Sequence, residues 1–277
     1  MPELPEAETM ARDLGRAVTG RTISEVLVAY WPIVASDHDE FARLLAGRRI
    51  EGASRLGKWV RLDLSGGAAL LVHLKMTGQF LLGEWPGSTD GPWPPHARAA
   101  FRLTGEGEPL TLFYRDVRKF GRLRAFEADG LRAFLDELAL GPDPFQASPE
   151  EFHRLVSGKR GALKAVLLDQ QTVAGLGNIY VDESLFAAGL SPWRPAGGLS
   201  RAESDSLLAR AREILATAVE LRGSTVGNYQ GLEGAGAYQG RHQVYGKSGW
   251  PCPRCGETLV KSVVGGRSSV HCLKCQK

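Results

Sequence analysis

The sequence predicts an α+β multidomain protein: an N-terminal helix plus an antiparallel β-sandwich, then a helical domain, then a C-terminal β-hairpin finger. Three observations carry this. Apolar residues open the chain at helical spacing, short apolar runs broken by Gly and Pro fill residues 21–126, and helical spacing then returns until four cysteines close the chain. A length of 277 residues suits two domains and a small third module, with expected boundaries at 1–130, 131–240 and 241–277.

In the first element, Ala7, Met10, Ala11, Leu14 and Val18 share one helical face, Pro5 suits a first turn and Gly20 suits a stop. Strands are expected at 23–30, 59–64, 68–74, 99–103 and 110–114, with an exposed Gly/Pro/Trp connection at 83–95. Helices are expected at 130–138, 149–156, 162–170, 179–188 and 201–221, the middle pair separated by turn chemistry at 175–178. Residues 223–240 are polar, rich in Gly and too poor in apolar side chains to form core, which marks a functional or disordered loop.

Composition narrows the function. Hydrophobic residues at 43% and charged residues at 23% are ordinary globular values, and no apolar run approaches the roughly 20 residues of a membrane span. The opening Met1-Pro2-Glu3-Leu4-Pro5-Glu6 has neither the basic nor the apolar part of a secretory signal, so a cytoplasmic protein is expected. Net charge is only +3, but residues 241–277 hold seven Lys and Arg against Glu257 alone, the footprint of a phosphate-binding element or of a solvated basic tail.

All four cysteines lie in that segment, as Cys252-x2-Cys255-x16-Cys272-x2-Cys275. Two CxxC pairs at this separation match a structural zinc site, whose four thiolates leave no position open for catalysis. Two disulfides would suit an exported chain better. The residues between the pairs form two β-like runs around Gly265-Gly266, with Arg267 just past the tip. A zinc ribbon alone is compatible with binding protein or nucleic acid.

Five segments in one order sharpen the reading: Met1-Pro2-Glu3-Leu4-Pro5-Glu6, His73-Leu74-Lys75-Met76-Thr77-Gly78, Tyr114-Arg115-Asp116-Val117-Arg118-Lys119-Phe120-Gly121, Leu168 to Tyr180 through Gly175-Leu176-Gly177-Asn178, and the cysteine finger. Together they resemble the formamidopyrimidine-DNA glycosylases, the bacterial 8-oxoguanine DNA glycosylases, along essentially the whole chain. The resemblance implies a bifunctional glycosylase and strand-cleaving lyase, one structural Zn2+, a helix-two-turn-helix in the helical domain and damaged double-stranded DNA as partner. It also implies a monomer associated with the bacterial nucleoid and no membrane contact.

Chemistry agrees with the resemblance. Loss of Met1 exposes the secondary amine of Pro2, and an α-amino group titrating near 7.7 to 8.0 is partly neutral and nucleophilic at pH 7. Glu3 beside it can act as general acid and base, with Glu6 assisting; otherwise these acids serve only the helix dipole. By resemblance Lys58 reaches a backbone phosphate beside the lesion, although alone it reads as a strand lysine. Asn178 reads as the N-cap of a helix whose free amides suit phosphate, and Arg267 completes a phosphate clamp. His73 and Lys119 are implied DNA contacts.

Met76, Arg118 and Phe120 resemble the side chains that fill the stack when a base is rotated out, a step that costs a few kcal/mol; core packing is the plainer reading of Met76 and Phe120. Two departures stand out, Val117 where the family commonly has proline and Lys75 where it commonly has glycine. The alternatives are an endonuclease VIII-like glycosylase for oxidised pyrimidines, against which Leu4 argues, and a non-catalytic DNA-damage binder or zinc-ribbon interaction protein, against which the intact Pro2-Glu3 pair argues.

Overall fold

The computed structural model describes residues 2–225 and 230–277; Met1 and residues 226–229 of the expected 223–240 loop lie outside the described residues. The chain divides into two compact units, residues 1–138 with 222–236, and residues 139–221 with 237–277.

The first unit opens with α1 (Leu4–Val18), whose Leu4, Ala7, Met10, Ala11, Leu14 and Val18 are buried as the spacing predicts. The strands that follow are β1 (Thr22–Val28), β2 (Ile50–Leu56), β3 (Trp59–Leu64), β4 (Ala69–His73), β5 (Gly78–Gly83), β6 (Ala97–Thr104), β7 (Leu110–Asp116) and β8 (Arg122–Phe126). They pair antiparallel in two four-stranded sheets, ordered β1-β6-β7-β5 and β2-β3-β4-β8. The main core draws Met10 and Leu14 of α1 together with Ile23, Val60, Leu70, Val72, Phe101, Leu112, Tyr114 and Leu123, so both sheets and the helix share one apolar interior.

Three strands and one helix are additional to those expected. β2, β5 and β8 alternate small, charged and apolar residues too briefly to read as strands, and pairing supplies what propensity does not. The short helix α2 (His38–Leu45) is started by the Asp37 carboxylate, which accepts from the Glu40 amide, and its Phe41 and Leu45 enter the core.

Outer faces are also covered. α3 (Ala128–Leu138) lays Leu131 and Phe134 on Ala69 and Leu71, which places it in the first unit. The 83–95 connection is only partly exposed, because Trp85 and Trp93 pack on Ala97, Ala100 and Phe113. Residues 222–236, expected with the helical domain, join the first unit instead: Leu232 packs on its core and Ser224 and Glu233 bond to α1.

The second unit holds α4 (Pro149–Ser157), α5 (Leu163–Leu168), α6 (Asn178–Ala188) and α7 (Arg201–Glu220), then the finger strands β9 (Val260–Val264) and β10 (Arg267–His271). Finger and helices share this one unit. The turn between α5 and α6 is stapled by Gln170. Its Oε1 accepts from the Gly175 amide at 2.9 Å and its Nε2 donates to the carbonyls of Leu168 and Leu176, both at 2.9 Å. Gly175 needs its φ of +91°, which a side chain would strain. Among the described residues no helix is long and apolar enough to cross a membrane.

Candidate DNA-lesion site and zinc finger

The N-terminus of α1 gathers the candidate chemistry of the first unit. Pro2 is buried, and Glu3 and Glu6 are each only 1% exposed. The Glu6 carboxylate is divided between two amides, accepting from Glu3 at 2.8 Å and from Ser224 at 2.7 Å. Gly223 leaves the room for this contact, since a Cβ there would stand 2.6 Å from Glu6 Oε1. Glu6 therefore ties the start of the chain to a segment more than 200 residues away.

Lys58 occupies the two-residue turn of the β2–β3 hairpin, where Leu56 pairs with Trp59 and Gly57 takes φ +57°. The side chain of Arg55 donates to the Gly57 carbonyl at 3.0 Å and pairs with Glu8 of α1 at 3.2 Å, so this turn is fixed relative to the N-terminal helix. Trp59 pairs in register with His73, and their rings meet edge to face at 4.9 Å. His73 Nδ1 accepts from the Lys75 amide at 3.0 Å, which leaves Nε2 to carry the proton of the neutral ring. Burial, then the charges of Lys75 and Lys58, lower its pKa to about 3. His73 thus offers a neutral donor within a cationic surface.

The expected void-filling side chains sit on two loops held by one acid. Asp116, fully buried, accepts from the Thr77 hydroxyl at 2.5 Å, the Arg118 amide at 3.2 Å and the Gly121 amide at 2.7 Å. Thr77 in turn accepts from the Arg118 amide at 2.9 Å. Below them the Tyr114 hydroxyl fills the space in which a Cβ on Gly78 or Gly121 would stand, at 2.2 and 1.7 Å. Phe120 is 48% exposed and the Arg118 guanidinium lies over its ring at 4.8 Å, an arrangement that core packing does not explain. Met76 is half-buried. Lys119 takes φ +60° and its ammonium rests over the Tyr30 ring at 4.6 Å. Lys75 adopts φ +52°, the left-handed backbone for which glycine is the natural choice.

In the second unit Asn178 does not cap its helix. Gly177 is the N-cap, and Asn178 is the first residue of α6 with its Oδ1 buried and unpartnered. A cap must precede the helical turn, and the extended backbone that this needs is taken by Gly177 at φ −137°. The unsatisfied amide group is consistent with a ligand at the helix N-terminus. One turn later, Asp182 accepts from Lys164 at 2.7 Å, Ser269 at 2.7 Å and the Val270 amide at 3.1 Å. Burial pushes the Asp182 carboxyl up and those donors pull against it. Lys164 also donates to the Ser268 carbonyl, so the strand that begins at exposed Arg267 is docked on α6.

The finger closes on the four cysteines. Their Sγ atoms lie within 4.8 Å of one another, with Cys255 to Cys272 at 3.6 Å and Cys252 to Cys275 at 3.9 Å. A tetrahedron with Zn–S bonds of about 2.3 Å has edges of about 3.8 Å, so the site fits one structural zinc ion, and the separations are too long for disulfides. The second knuckle is set by Gln276, whose Oε1 accepts from the Cys272 amide and whose Nε2 donates to Leu190, both at 2.9 Å. Glu183, buried in α6, accepts from the amides of Gln243, Val244 and Tyr245 and fixes the approach to the finger. Lys164, Asp182 and Glu183 carry no periodic or motif signal of their own, whereas Asp116, Gln170 and Gln276 lie within the segments that carry the resemblance but show no role there until the fold pairs them.

The fold and these centres define a helix-two-turn-helix protein with a β-hairpin zinc finger and a β-sandwich led by a buried proline. Family models match along the chain: the formamidopyrimidine-DNA glycosylase N-terminal domain at residues 1–123, its H2TH domain at 140–230, and the zinc finger found in FPG and IleRS at 249–277. Formamidopyrimidine-DNA glycosylase of Thermus thermophilus is 42% identical over all of this chain and 98% of its own, and that of Bacillus licheniformis is 40% identical over the full length of both. The crystal structure of the Thermus thermophilus MutM (Fpg) protein superposes with a TM-score of 0.86 at 41% identity, covering 99% of this chain and 98% of that one. A Lactococcus lactis Fpg variant in complex with Fapy-dG DNA superposes with a TM-score of 0.91 at 33% identity over the full length of both. This chain belongs to the formamidopyrimidine-DNA glycosylase family.

Proposed function

We propose that this chain excises oxidised purines, 8-oxoguanine and formamidopyrimidines, from double-stranded DNA and then cleaves the strand at the resulting abasic site. The observation that carries the reading is the buried Pro2-Glu3-Glu6 cluster at the head of α1, an amine nucleophile beside two carboxylates of which one is already fixed by two backbone donors. Solved relatives bound to DNA containing Fapy-dG, carbocyclic 8-oxo-G or an abasic site support the substrate class.

The Pro2 nitrogen forms a bond to the sugar C1′ as the bond from C1′ to the base breaks, and the proton that the attacking amine sheds passes to the departing base, which leaves as a neutral heterocycle. Glu3 protonates the ring oxygen as the sugar opens, and the nitrogen lone pair completes an iminium at C1′. The cationic iminium acidifies C2′; loss of that proton to solvent gives an enamine, and its electron pair then forms the C2′–C3′ double bond as the C3′–O bond breaks, expelling the 3′ phosphate and restoring the iminium. A second elimination expels the 5′ phosphate, and hydrolysis returns the amine. Lys58, His73 and Lys119 then hold backbone phosphates. Met76, Arg118 and Phe120 occupy the vacated stack, with Arg118 addressing the orphaned cytosine. Asn178 and Arg267 grip phosphate from the second unit. In this division of labour residues 1–138 with 222–236 supply chemistry, 139–221 the helix-two-turn-helix grip, and 241–277 the zinc finger. The protein acts as a monomer in the bacterial cytoplasm on nucleoid DNA.

The test is borohydride trapping. An 8-oxoguanine duplex should yield a covalent adduct that mass spectrometry places on the peptide beginning at Pro2. Trapping only on thymine glycol would transfer the reading to oxidised pyrimidines, and no adduct on any lesion or abasic site would leave a damage-binding protein without chemistry.

A further inference from the structure

Glu6 is not the only acid with which α1 holds residues 222–236. Asp13 lies seven residues further along, two turns down the same face, and it is fully buried. Its Oδ1 accepts from Arg16 at 2.7 Å, while its Oδ2 accepts from the Arg222 guanidinium at 2.6 Å and from the Glu233 amide at 3.3 Å. One carboxylate thereby receives the incoming stem of the segment at Arg222 and the outgoing stem at Glu233. The Glu233 carboxylate closes the circuit on Arg16 at 2.7 Å and on Arg222 at 3.5 Å, and a hydrogen bond of 2.8 Å from the Gly236 amide to Thr225 joins the two stems directly.

The backbone between these contacts is wound tightly. Arg222 takes φ +63° and Gly223 φ +76°, two successive left-handed residues between the Asp13 contact and the Ser224 amide that Glu6 accepts. A non-glycine residue persists in that conformation where its surroundings hold it there, and at Arg222 the holder is Asp13. A shift of Arg222 would be passed through Gly223 to the Ser224 amide, and from there to a Glu6 carboxylate that is shared with the Glu3 amide.

We propose that Asp13 is a positioning residue for the Glu3–Glu6 pair, acting through Arg222 and the Ser224 amide; this rests on the acid/base reading of that pair given above. Asp13 touches neither the amine nor the carboxylates it aligns. Arg16 and Glu233 are about half exposed and form the solvent side of the network, whereas the Asp13 carboxylate that they flank is fully enclosed.

The test compares Asp13→Asn, Asp13→Glu and Arg222→Gln with the unaltered protein, and with Glu6→Gln as reference, all well below their unfolding temperatures. Single-turnover excision of 8-oxoguanine, cleavage of a preformed abasic site, DNA Kd and amide hydrogen exchange at Ser224 are measured for each. Asp13→Asn should slow excision about ten-fold, leave abasic-site cleavage and Kd within about two-fold, and speed exchange at Ser224. Asp13→Glu should recover part of the excision rate, and the Asp13→Asn, Arg222→Gln double variant should be no slower than the worse single one, because both act through one contact. Unchanged Ser224 exchange in Asp13→Asn and Arg222→Gln overturns the proposal. So do equal losses of excision and abasic-site cleavage, which would make the network a support of the fold alone. Glu6→Gln at the unaltered excision rate would instead remove the acid/base reading, and Ser224 exchange in the Asp13 variants then decides the tether separately.

Discussion

The Asp116 carboxylate accepts from the Gly121 amide through one oxygen, at 2.7 Å, and from the Thr77 hydroxyl through the other, at 2.5 Å. The loop that carries Arg118 and Phe120 and the loop that carries Met76 are thereby held by one buried acid. Asp116→Ala leaves the buried Gly121 amide short of its acceptor, a cost of about 1 to 3 kcal/mol, while the Arg118 amide keeps the Thr77 hydroxyl. The melting temperature should fall, and excision from duplex DNA should slow more than cleavage of an abasic site. Equal kinetics on both substrates would mean that the clamp supports stability without placing the loops.

Phe120→Ala and Met76→Ala should act on extrusion and leave bond-breaking intact. A base stacked on an aromatic ring is worth about 1 to 3 kcal/mol, and Phe120 is exposed and available for such stacking. Single-turnover excision should therefore drop roughly ten-fold or more, with abasic-site cleavage preserved. Arg118→Ala should in addition flatten the preference for the base opposite 8-oxoguanine, since its guanidinium alone among the three can make directed hydrogen bonds to cytosine. Excision from 8-oxoguanine paired with each of the four bases checks this.

Pro2→Gly, or a protein shown by mass spectrometry to retain Met1, should lose strand cleavage while binding lesion DNA as before, because only the proposed nucleophile changes. Glu3→Gln should lower excision of 8-oxoguanine by about 10² to 10⁴, the usual scale of general acid/base catalysis, and should spare preformed abasic sites, from which no base must depart. Parallel loss on both substrates would give Glu3 a part in the elimination as well.

Chelation of zinc, or Cys272→Ala, should unfold the β9–β10 hairpin, because binding free energy at a structural zinc site is also folding free energy. DNA affinity should fall, and the slope of log Kd against log salt should shrink by about one, for the single phosphate that Arg267 would cease to neutralise. A zinc-free protein with unaltered affinity and slope would exclude the finger from the DNA interface.

His73 should stay neutral from pH 8 down to about 4, since its pKa in the folded protein is lowered to about 3 and the ordinary value is 6.5. The unfolded chain then binds a proton that the native state refuses. The contribution of this residue to stability is present in full above pH 6.5 and is lost progressively as pH falls toward 3. Urea unfolding across this range should show His73→Gln losing less stability on acidification than the unaltered protein. The same substitution should leave the salt dependence of DNA binding unchanged, because a neutral Nε2–H donates without displacing a counterion. A reduced salt slope would mean that His73 binds phosphate as a cation.

Much of this protein is legible in its residues taken in order. The α1 face, strand β3, the finger hairpin and the tetrathiolate spacing follow from local periodicity and covalent reach, and Pro2 and Glu3 are neighbours by chain connectivity alone. Those features need no partner from elsewhere in the chain. Pairings between distant segments are of another kind. Glu6 with Ser224, Asp13 with Arg222, Asp116 with Thr77 and Lys164 with Ser268 join residues up to 218 positions apart and follow no repeat. The exchange of Asn178 for Gly177 at the cap depends on a φ that packing sets. The chemical groups and their local spacing were thus written into the chain, while the partner of each buried acid was chosen by packing. A buried carboxylate must find donors wherever the fold delivers them, because leaving it unpaired costs more than the ordering that pairs it.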